Sequence, residues 1–313
     1  MISVLMPAYN AASYIRPAID SILSQDYRNF ELLIADDCST DNTRAIIDSY
    51  SDDRIKTYHN AENLRKPLTV QKLFIFSTGD LVTIHDADDV SLPERFGEIV
   101  NVFKTQPDIY MCGHSIERIS ERGEPLGLYR MKVSNYEEIK RQMSSENTDG
   151  DPSMFIRREV LENLGEIFRP FFMNNMDYDL ALRIIEKYRT TNLPQVLSYY
   201  RNVPNSISKG ILNHKKLITQ DITRYLANER RNGGLDALQR NDLDTLKRIE
   251  EEFSAPYLKD RTLHFRKMAE FFMYCKMNSH AIKYMLMAVK QEPLKWINWR
   301  TLQYCVRKTY LGI

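Results

Sequence analysis

The sequence predicts an α/β protein with a largely parallel sheet, followed by an all-helical region. Over the first 110 residues, short apolar runs rich in β-branched side chains alternate with helical patterns, which is typical of βαβ units. Beyond residue 209 the pattern becomes helical and basic, with no proline before Pro256. We therefore expect one domain over residues 1–210, with halves at 1–110 and 111–210, and a basic helical region over residues 211–313.

The alternation places four strands and four helices in the first half. The predicted strands span residues 2–6, 30–35, 54–58 and 81–85. The predicted helices cover residues 12–23, a short segment around 45–47, 68–76 and 94–103. The last of these is preceded by Ser91-Leu-Pro-Glu94, which has the pattern of a capping box. The second half predicts further strands, helices over 136–143 and 177–188, and a loop over 144–152.

Composition excludes several classes of protein. Of 313 residues, 43% are hydrophobic and 27% are charged, with only 11 Gly and 12 Pro, which excludes collagen-like and wholly disordered chains. The four cysteines (Cys38, Cys112, Cys275 and Cys305) are dispersed, which argues against a zinc ribbon or a disulfide scaffold and favours a reducing compartment. We find no targeting pattern and no apolar run near the roughly 18 residues of a membrane span. We expect a cytoplasmic protein.

Charge is distributed unevenly along the chain. Residues 1–200 hold 22 Lys and Arg against 31 Asp and Glu, whereas residues 201–313 hold 21 against 11. This asymmetry indicates cation binding in the first part and an anionic partner for the second. Residues 262–313 interleave nine basic residues with aromatic ones, which suits peripheral contact with the inner face of an anionic membrane. The alternative is a helical domain that packs its aromatic side chains inward; no nucleic-acid-binding module is recognised.

Side chains suited to chemistry follow three of the predicted strands. They are Pro7-Ala8-Tyr9-Asn10 after the first, Asp36-Asp37 after the second, and Asp86-Ala87-Asp88-Asp89 after the fourth. Open α/β sheets bind ligands outside the carboxyl ends of their strands. The Asp86-x-Asp88 spacing suits a hard divalent cation, Mg²⁺ or Mn²⁺. Acidic pairs also cap turns and helices, so the argument depends on all three segments occurring in order on successive strands.

These segments, together with Asp177-Tyr-Asp-Leu180 and Arg183, resemble glycosyltransferase family 2. The resemblance covers roughly residues 1–208. It implies an inverting enzyme of the nucleotide-diphospho-sugar transferase (GT-A) fold, a mixed sheet sandwiched by helices. Residues 1–110 would then bind the nucleotide sugar, and residues 111–210 the acceptor.

The resemblance also implies roles for individual residues in binding the donor. Tyr9 would stack on uracil while Pro7 and Ala8 let the backbone approach, and Asn10 would belong to the same nucleotide-sugar site. Asp37, possibly with Asp36, would accept the imide N–H. Asp86, Ala87 and Asp88 would contact the nucleotide sugar, with Asp86 and Asp88 at a Mn²⁺ or Mg²⁺ ion that bridges the diphosphate. Asp177 would be the general base that deprotonates the acceptor hydroxyl; the alternative is a helix cap. We interpret Asp179 as structural, paired with Arg183 one turn later.

The sequence departs from the family pattern at several positions. Met176 stands where the family often has Glu, which leaves the acceptor type open, and Gln71 and Val203 replace residues that contact donor or metal in relatives. Arg65, with Lys66, is a candidate diphosphate partner, although a solvated basic pair is equally consistent with the sequence. Ser153, in the predicted loop region, is a candidate for acceptor contact together with Met176.

The sequence thus predicts a metal-dependent inverting transferase that moves a sugar from a UDP-sugar to a glycan or lipid-linked acceptor, in bacterial surface-polysaccharide synthesis. Two alternatives remain at this point. One is a non-catalytic protein that binds nucleotide sugars or polysaccharides. The other is a haloacid dehalogenase-like phosphatase, because residues 81–90 match a strand followed by DxD; three strands precede that motif here, which argues against it.

Overall fold

The structure is a computed structural model that describes residues 1–129, 131, 133–145, 153–172, 174–203, 214–274 and 277–311. It divides into two compact units, residues 1–210 and 211–313. Among the residues described, no helix has both the length and the apolar character needed to cross a bilayer.

The first unit contains nine strands and seven helices within the described ranges. The strands are β1 (Ile2–Ala8), β2 (Phe30–Asp36), β3 (Ile55–His59), β4 (Leu81–Ile84), β5 (Val90–Ser91), β6 (Met111–Ile119), β7 (Pro125–Tyr129), β8 (Phe155–Arg157) and β9 (Thr190–Arg201). The helices are α1 (Ile15–Leu23), α2 (Thr43–Asp48), α3 (Arg65–Phe76), α4 (Arg95–Thr105), α5 (Tyr136–Ser145), α6 (Arg158–Leu164) and α7 (Met176–Ile185).

The nine strands form one mixed sheet in the order β3-β2-β1-β4-β8-β6-β9-β5, with β7 paired to β6. Strands β3, β2, β1 and β4 are mutually parallel, and β8 then pairs antiparallel with both β4 and β6. The chain moves outward from β1 to β3 and returns to β4 on the other side of β1. The crevice between the ends of β1 and β4 is therefore a topological switch point, where such sheets bind ligands. The predicted α/β class is confirmed.

The core follows from the apolar runs of the sequence. Every residue of β2 is buried, and α1 buries Ile15, Ile19 and Ile22 at helical spacing against the sheet. Phe96 of α4 lies edge-on to Phe155 of β8, with ring centres 5.8 Å apart. This packing fixes the strand ends that carry the candidate site.

Several predicted boundaries differ from the structure. Strand β1 continues through Pro7 and Ala8, which pair with Ala35 and Asp36, so these two residues end the strand and do not lie in a loop. Helix α3 begins at Arg65, three residues earlier than predicted, and α6 was not predicted. The capping box at Ser91 is wrong, because α4 has no side-chain cap and the Ser91 hydroxyl bonds other side chains. Most of the predicted 144–152 loop lies outside the described residues.

The second unit is helical, as predicted. Its helices are α8 (His214–Gly233), α9 (Leu243–Lys259), α10 (Leu263–Tyr274), α11 (Asn278–Gln291) and α12 (Trp296–Tyr310). Within this unit, the consecutive helices α10 and α11 pack together as a helical hairpin. Its core comprises Met268, Ala269, Phe272, Ala281, Met285, Ala288, Val289, Leu302 and Cys305.

A buried carboxylate links three strands of the first unit. Glu31 of β2 accepts hydrogen bonds from Ser3 Oγ on β1 at 2.6 Å, Lys56 Nζ on β3 at 2.7 Å, and the Thr78 N–H at 2.5 Å. Burial alone would raise the pKa of Glu31, but these hydrogen bonds outweigh it and lower the pKa to about 2. The ionised form therefore stabilises the fold.

We expect Glu31→Gln to lower the free energy of unfolding by about 2 kcal/mol at neutral pH, since it removes charge-assisted hydrogen bonds. The folded pKa of Glu31 lies below the unfolded value of about 4.3. The stabilisation is thus fully present above that value and is lost as the pH falls toward 2. Urea unfolding at several pH values should show that the difference in free energy of unfolding between wild type and variant becomes smaller in acid. The control is Glu62→Gln at an exposed position; an equal effect there would contradict the assignment.

Candidate active site

Three carboxylates meet in the turn after β4. One carboxylate oxygen from each of Asp86, Asp88 and Asp89 lies within 4.8 Å of the other two. Burial, followed by the charge of Asp86, raises the pKa of Asp88 to about 6. Burial and the two neighbouring carboxylates raise the pKa of Asp89 well above its usual value. The turn therefore concentrates negative charge that a cation would stabilise.

A lysine from α3 supplies one such cation. Lys66 Nζ lies 2.5 Å from Asp86 Oδ1 and 5.9 Å from the ring centre of Phe168. Burial alone would lower the pKa of Lys66, but Asp86, Asp177 and Asp88 together raise it. The ammonium group is therefore within electrostatic reach of both the acidic turn and the start of α7. Arg65, the residue we predicted for the donor site, has an exposed side chain, and Lys66 makes the contact with Asp86.

Arg201, at the end of β9, holds the acidic turn through the backbone. Its Nε donates to the Asp88 carbonyl oxygen, and its backbone N–H donates to Asp89 Oδ1, both at 2.9 Å. The same guanidinium donates to the carbonyl oxygen of Glu121 and lies over the ring of Tyr14, 5.7 Å from its centre. Because Asp89 is buried whereas Asp86 and Asp88 are only half-buried, the latter two are the better placed carboxylates for an external ligand.

A buried polar network lies directly behind the turn. Arg95, almost fully buried on α4, donates to Ser91 Oγ at 2.7 Å and to His114 Nε2 at 2.9 Å. Ser91 Oγ also lies 3.1 Å from His85 Nε2, and the other ring nitrogen of His85 contacts the Asp86 carbonyl oxygen. Burial and the Arg95 charge lower the pKa of His85 to about 3 and that of His114 well below its usual value. Both imidazoles are neutral and structural, so Arg95 is the positive charge of this network.

The ends of β1 and β2 form the neighbouring part of the edge. Ala8 and Asp36 are register partners, so Tyr9 and Asp37, one residue further along each strand, are adjacent. Tyr9 is 50% exposed. Asp37 is buried, and its Oδ1 accepts from Asn60 Nδ2 at 2.7 Å and from the Leu64 N–H at 2.9 Å. None of the hydrogen bonds found among the described residues reaches its Oδ2.

Asn10 and Asp36 position the surrounding backbone. Asn10 Oδ1 accepts from the Thr40 N–H at 2.8 Å, which joins the loops after β1 and β2. Asp36 is buried, and its carboxylate is 3.4 Å from the Ser39 N–H. These two predicted donor residues therefore contact their own loops.

Strained backbone is concentrated at this edge of the sheet. Within the described ranges, five non-glycine residues have positive φ, and four of them lie in the loops after β1 and β2 or at the starts of α3 and α7. These four are Asn10 (φ 50°), Cys38 (φ 63°), Arg65 (φ 66°) and Asn175 (φ 57°). Such conformations cost free energy outside glycine and persist where the surrounding structure enforces them, often at functional sites.

Helix α7 brings Asp177 to the site and is anchored by a buried ion-pair cluster. Asp177 lies in the first turn, where the positive end of the helix dipole favours a carboxylate. Asp179, fully buried, accepts from Arg169 and, at 3.0 Å, from Arg183 Nε. The predicted Asp179–Arg183 pair is thus confirmed. Arg183 also donates to the Glu166 carbonyl oxygen, so the cluster fixes the start of α7 against the preceding segment.

The two predicted acceptor residues are buried. Ser153 is fully buried and accepts from the His114 N–H at 3.1 Å, and Met176 is 5% exposed. Both side chains are thus enclosed in the structure, and their contact with an acceptor stays a prediction. Gln71 uses its amide to bind the Gly165 carbonyl oxygen and the Ile167 N–H, which makes it a structural contact between α3 and the segment after α6.

Sequence reasoning missed Arg95 as part of the site and named Arg65 and Lys66 together as diphosphate partners. One signal was available for Arg95: it occupies a position on α4 that shares a face with the apolar Ile99 and Val102. No comparable signal separates Arg65 from Lys66, since the two cations are adjacent in the sequence.

A sheet that gathers acidic and aromatic side chains at a β1/β4 switch point is the arrangement expected of a nucleotide-sugar transferase with the GT-A fold. The sequence model of Glycosyl transferase family 2 matches residues 3–165, more than half of the chain. The chain belongs to this family, and it is a glycosyltransferase.

Individual proteins support the family and the fold. The O-antigen biosynthesis glycosyltransferase WbnJ of Escherichia coli is 29% identical over 232 residues, which cover 72% of this chain and 89% of WbnJ. The crystal structure of S. aureus TarS 1-349 in complex with UDP-GlcNAc matches with a TM-score of 0.64 at 15% identity, covering 99% of this chain and 92% of that one. The mannosyltransferase PcManGT from Pyrobaculum calidifontis, in complex with GDP-Man and Mn²⁺, matches with a TM-score of 0.55 at 16% identity, covering 93% and 87%. These structures confirm the predicted GT-A-type fold.

We expect Asp179→Asn to destabilise the protein by about 3 kcal/mol or more, because it leaves two buried guanidinium groups without their carboxylate. Urea unfolding measures the loss. The control is Asp108→Asn, which breaks an exposed ion pair with Arg189 and should change stability by less than about 1 kcal/mol. Equal stability of the two variants would show that the cluster does not anchor α7.

Proposed function

We propose that this glycosyltransferase is a metal-dependent, inverting enzyme that transfers a sugar from a UDP-sugar to a hydroxyl of a glycan or lipid-linked acceptor. One observation carries the proposal: Lys66 Nζ lies 2.5 Å from Asp86 Oδ1 in the acidic turn, and Asp177 in the first turn of α7 also raises the pKa of that ammonium group. The diphosphate site and the candidate base therefore share one region of the sheet edge. The name of WbnJ supports a role in surface-polysaccharide synthesis.

Tyr9 and Asp37 would bind the uracil of the donor. The exposed ring of Tyr9 offers a flat surface on which a base stacks, and such stacking contributes about 1–3 kcal/mol in comparable sites. Asp37 Oδ1 is held by Asn60 and Leu64, which leaves Oδ2 to accept the imide N–H. The UDP-GlcNAc bound to the neighbouring TarS structure supports a UDP-sugar as donor.

The residues of the acidic turn fit a divalent cation. Three carboxylate oxygens within 4.8 Å of one another form a hard oxygen donor set, which suits Mn²⁺ or Mg²⁺. Asp86 and Asp88 would hold the ion, which when bound neutralises charge on the diphosphate leaving group. The Mn²⁺ of the neighbouring PcManGT structure supports this choice. Arg201 keeps the turn in place by binding the Asp88 backbone.

Asp177 would act as the general base. The acceptor oxygen attacks the anomeric carbon from the side opposite the diphosphate, and the bond from that carbon to the diphosphate oxygen breaks with its electron pair. The acceptor proton moves to the Asp177 carboxylate, which the helix N-terminus keeps ionised. In-line displacement inverts the anomeric configuration.

The cytoplasmic location expected from the dispersed cysteines is part of the proposal; Cys38, Cys112 and Cys305 are free thiols in the structure.

We expect Asp177→Asn to lower transfer by about 10²–10⁴-fold while leaving UDP affinity in the presence of Mn²⁺ largely unchanged. Calorimetry with a panel of UDP-sugars identifies the donor, and label transfer from it to a bacterial envelope fraction measures activity. Asp108→Asn is the matched control for an acidic residue outside the site. Retained transfer in Asp177→Asn would remove Asp177 from its role, and absent UDP binding by wild type would refute the UDP-sugar proposal.

Lys66 should compete with the divalent cation for Asp86. We expect Lys66→Met to raise the affinity of the free protein for Mn²⁺ by about fivefold or more. The reason is that two cations about 4 Å apart repel by about 1 kcal/mol even in bulk water. Calorimetric titration with Mn²⁺ alone measures this without any turnover. Lys72→Met, which removes a lysine bound to Asn60 and not to Asp86, is the control. Unchanged or weaker Mn²⁺ binding in Lys66→Met would contradict the proposed metal position.

A further inference from the structure

Helix α12 of the second unit exposes its aromatic side chains instead of burying them. Its core face consists of Asn298, Leu302 and Cys305. On a different face of the helix, Trp296 is 67% exposed, Trp299 is 50% exposed, and Tyr310 is exposed as well. Exposed tryptophans grouped on one helix are unusual, because large apolar side chains are normally placed in the core.

The exposed residues of α12 form a continuous stripe. Trp296, Trp299, Gln303, Val306 and Tyr310 recur at spacings of three and four residues, so they share one face of the helix. Leu294, immediately before the helix, is 98% exposed. We call this set of six residues the α12 face. Trp299 Nε1 donates to the Pro293 carbonyl oxygen at 2.7 Å, which satisfies the polar atom of that ring.

Positive charge borders the α12 face. Arg300 and Arg307 follow Trp296 and Gln303 by four residues on the helix, and Arg300 lies over the Trp296 ring, 5.3 Å from its centre. The helix contains three basic residues and no carboxylate. Across residues 277–311 there are six Lys and Arg and a single acidic residue, Glu292. The α12 face is therefore apolar and bordered by positive charge.

We propose that the α12 face binds the surface of a bilayer that contains anionic lipids, with the helix axis parallel to the membrane plane. Aromatic rings bury apolar area at the boundary of headgroups and acyl chains, while arginine extends to the phosphates. Each basic residue near an anionic surface contributes about 1 kcal/mol. The lack of carboxylates on α12 removes the repulsion that would oppose such contact. Binding of this kind does not depend on the proposed transfer reaction.

Another feature of the same unit is less suited to an anionic surface. A groove of about 720 Å³ is lined in part by Arg266, Lys267 and Glu270 of α10. Lys267 donates to Glu270 at 3.0 Å, and Arg266 is bound to Asp260. Because those cations already have carboxylate partners, the α12 face is the better site for anionic lipid.

Co-sedimentation of the full chain with lipid vesicles tests the proposal. We expect binding to vesicles containing about one third phosphatidylglycerol, and binding at least about tenfold weaker to pure phosphatidylcholine. The double variant Trp296→Ala/Trp299→Ala removes apolar contact, and Arg300→Gln/Arg307→Gln removes charge. Each should weaken binding to the anionic vesicles by about tenfold or more. These residues are on the surface, and circular dichroism verifies that the variants are folded.

Matched controls come from α9 of the same unit. Leu258→Ala removes an exposed apolar side chain and Lys247→Gln an exposed charge, and neither should change vesicle binding. Absence of binding to anionic vesicles, or equal losses in the controls, would overturn the proposal. So would a wild-type dimer in sedimentation velocity that the tryptophan variant dissociates, because a second copy would then cover the face. Binding to a nucleic acid or an acidic protein without binding to vesicles would likewise exclude the membrane.

Discussion

The candidate site depends on keeping several carboxylates close together at the end of one strand. Asp86, Asp88 and Asp89 lie within a single turn, and their mutual repulsion would open it without compensation. The compensation comes from two separate elements. Lys66 on α3 contacts Asp86, and Arg201 at the end of β9 binds the backbone of the turn. Arg95 on α4 lies behind the turn and bonds Ser91. The sheet topology matters because it brings these elements to one place.

The two sides of the cleft are held by different physical means. On the nucleotide side, hydrogen bonds between loops, such as Asn10 to Thr40, fix the backbone, and the strand register places Tyr9 beside Asp37. On the α7 side, a buried cluster of one carboxylate and two guanidinium groups fixes the helix start. The general base that we propose on α7 must be positioned to a fraction of an ångström, and the buried cluster holds the first turn of that helix.

The sequence was sufficient to predict those features whose signal lies within a short stretch of neighbouring residues. The strands β1 to β4, the helical second unit and the Asp179–Arg183 pair follow from periodicity and spacing, and the structure contains all of them. Contacts between distant segments were not predictable in this way. The Ser91 hydroxyl is bonded to His85 and Arg95, so it does not cap helix α4 as the Ser91–Glu94 pattern predicted. Likewise, α3 begins earlier than predicted, with a positive φ at Arg65. As a result Arg65 is exposed and Lys66 contacts Asp86, a difference that the spacing of residues in the sequence does not predict.

Exposed aromatic side chains mark two candidate binding surfaces, although the buried Asp37 also belongs to the proposed donor site. Ser153 and Met176 have side chains that could contact an acceptor, yet both are enclosed, whereas Tyr9 and the tryptophans of α12 are exposed at a cost in apolar hydration. The exposed Tyr9 ring beside the acidic edge of the sheet is explained by the proposed stacking of a nucleotide base on it. The exposed rings and arginines of α12, a helix without carboxylates, are explained by the proposed contact with an anionic lipid surface. The same physical argument therefore supports a soluble donor at one unit and a lipid surface at the other.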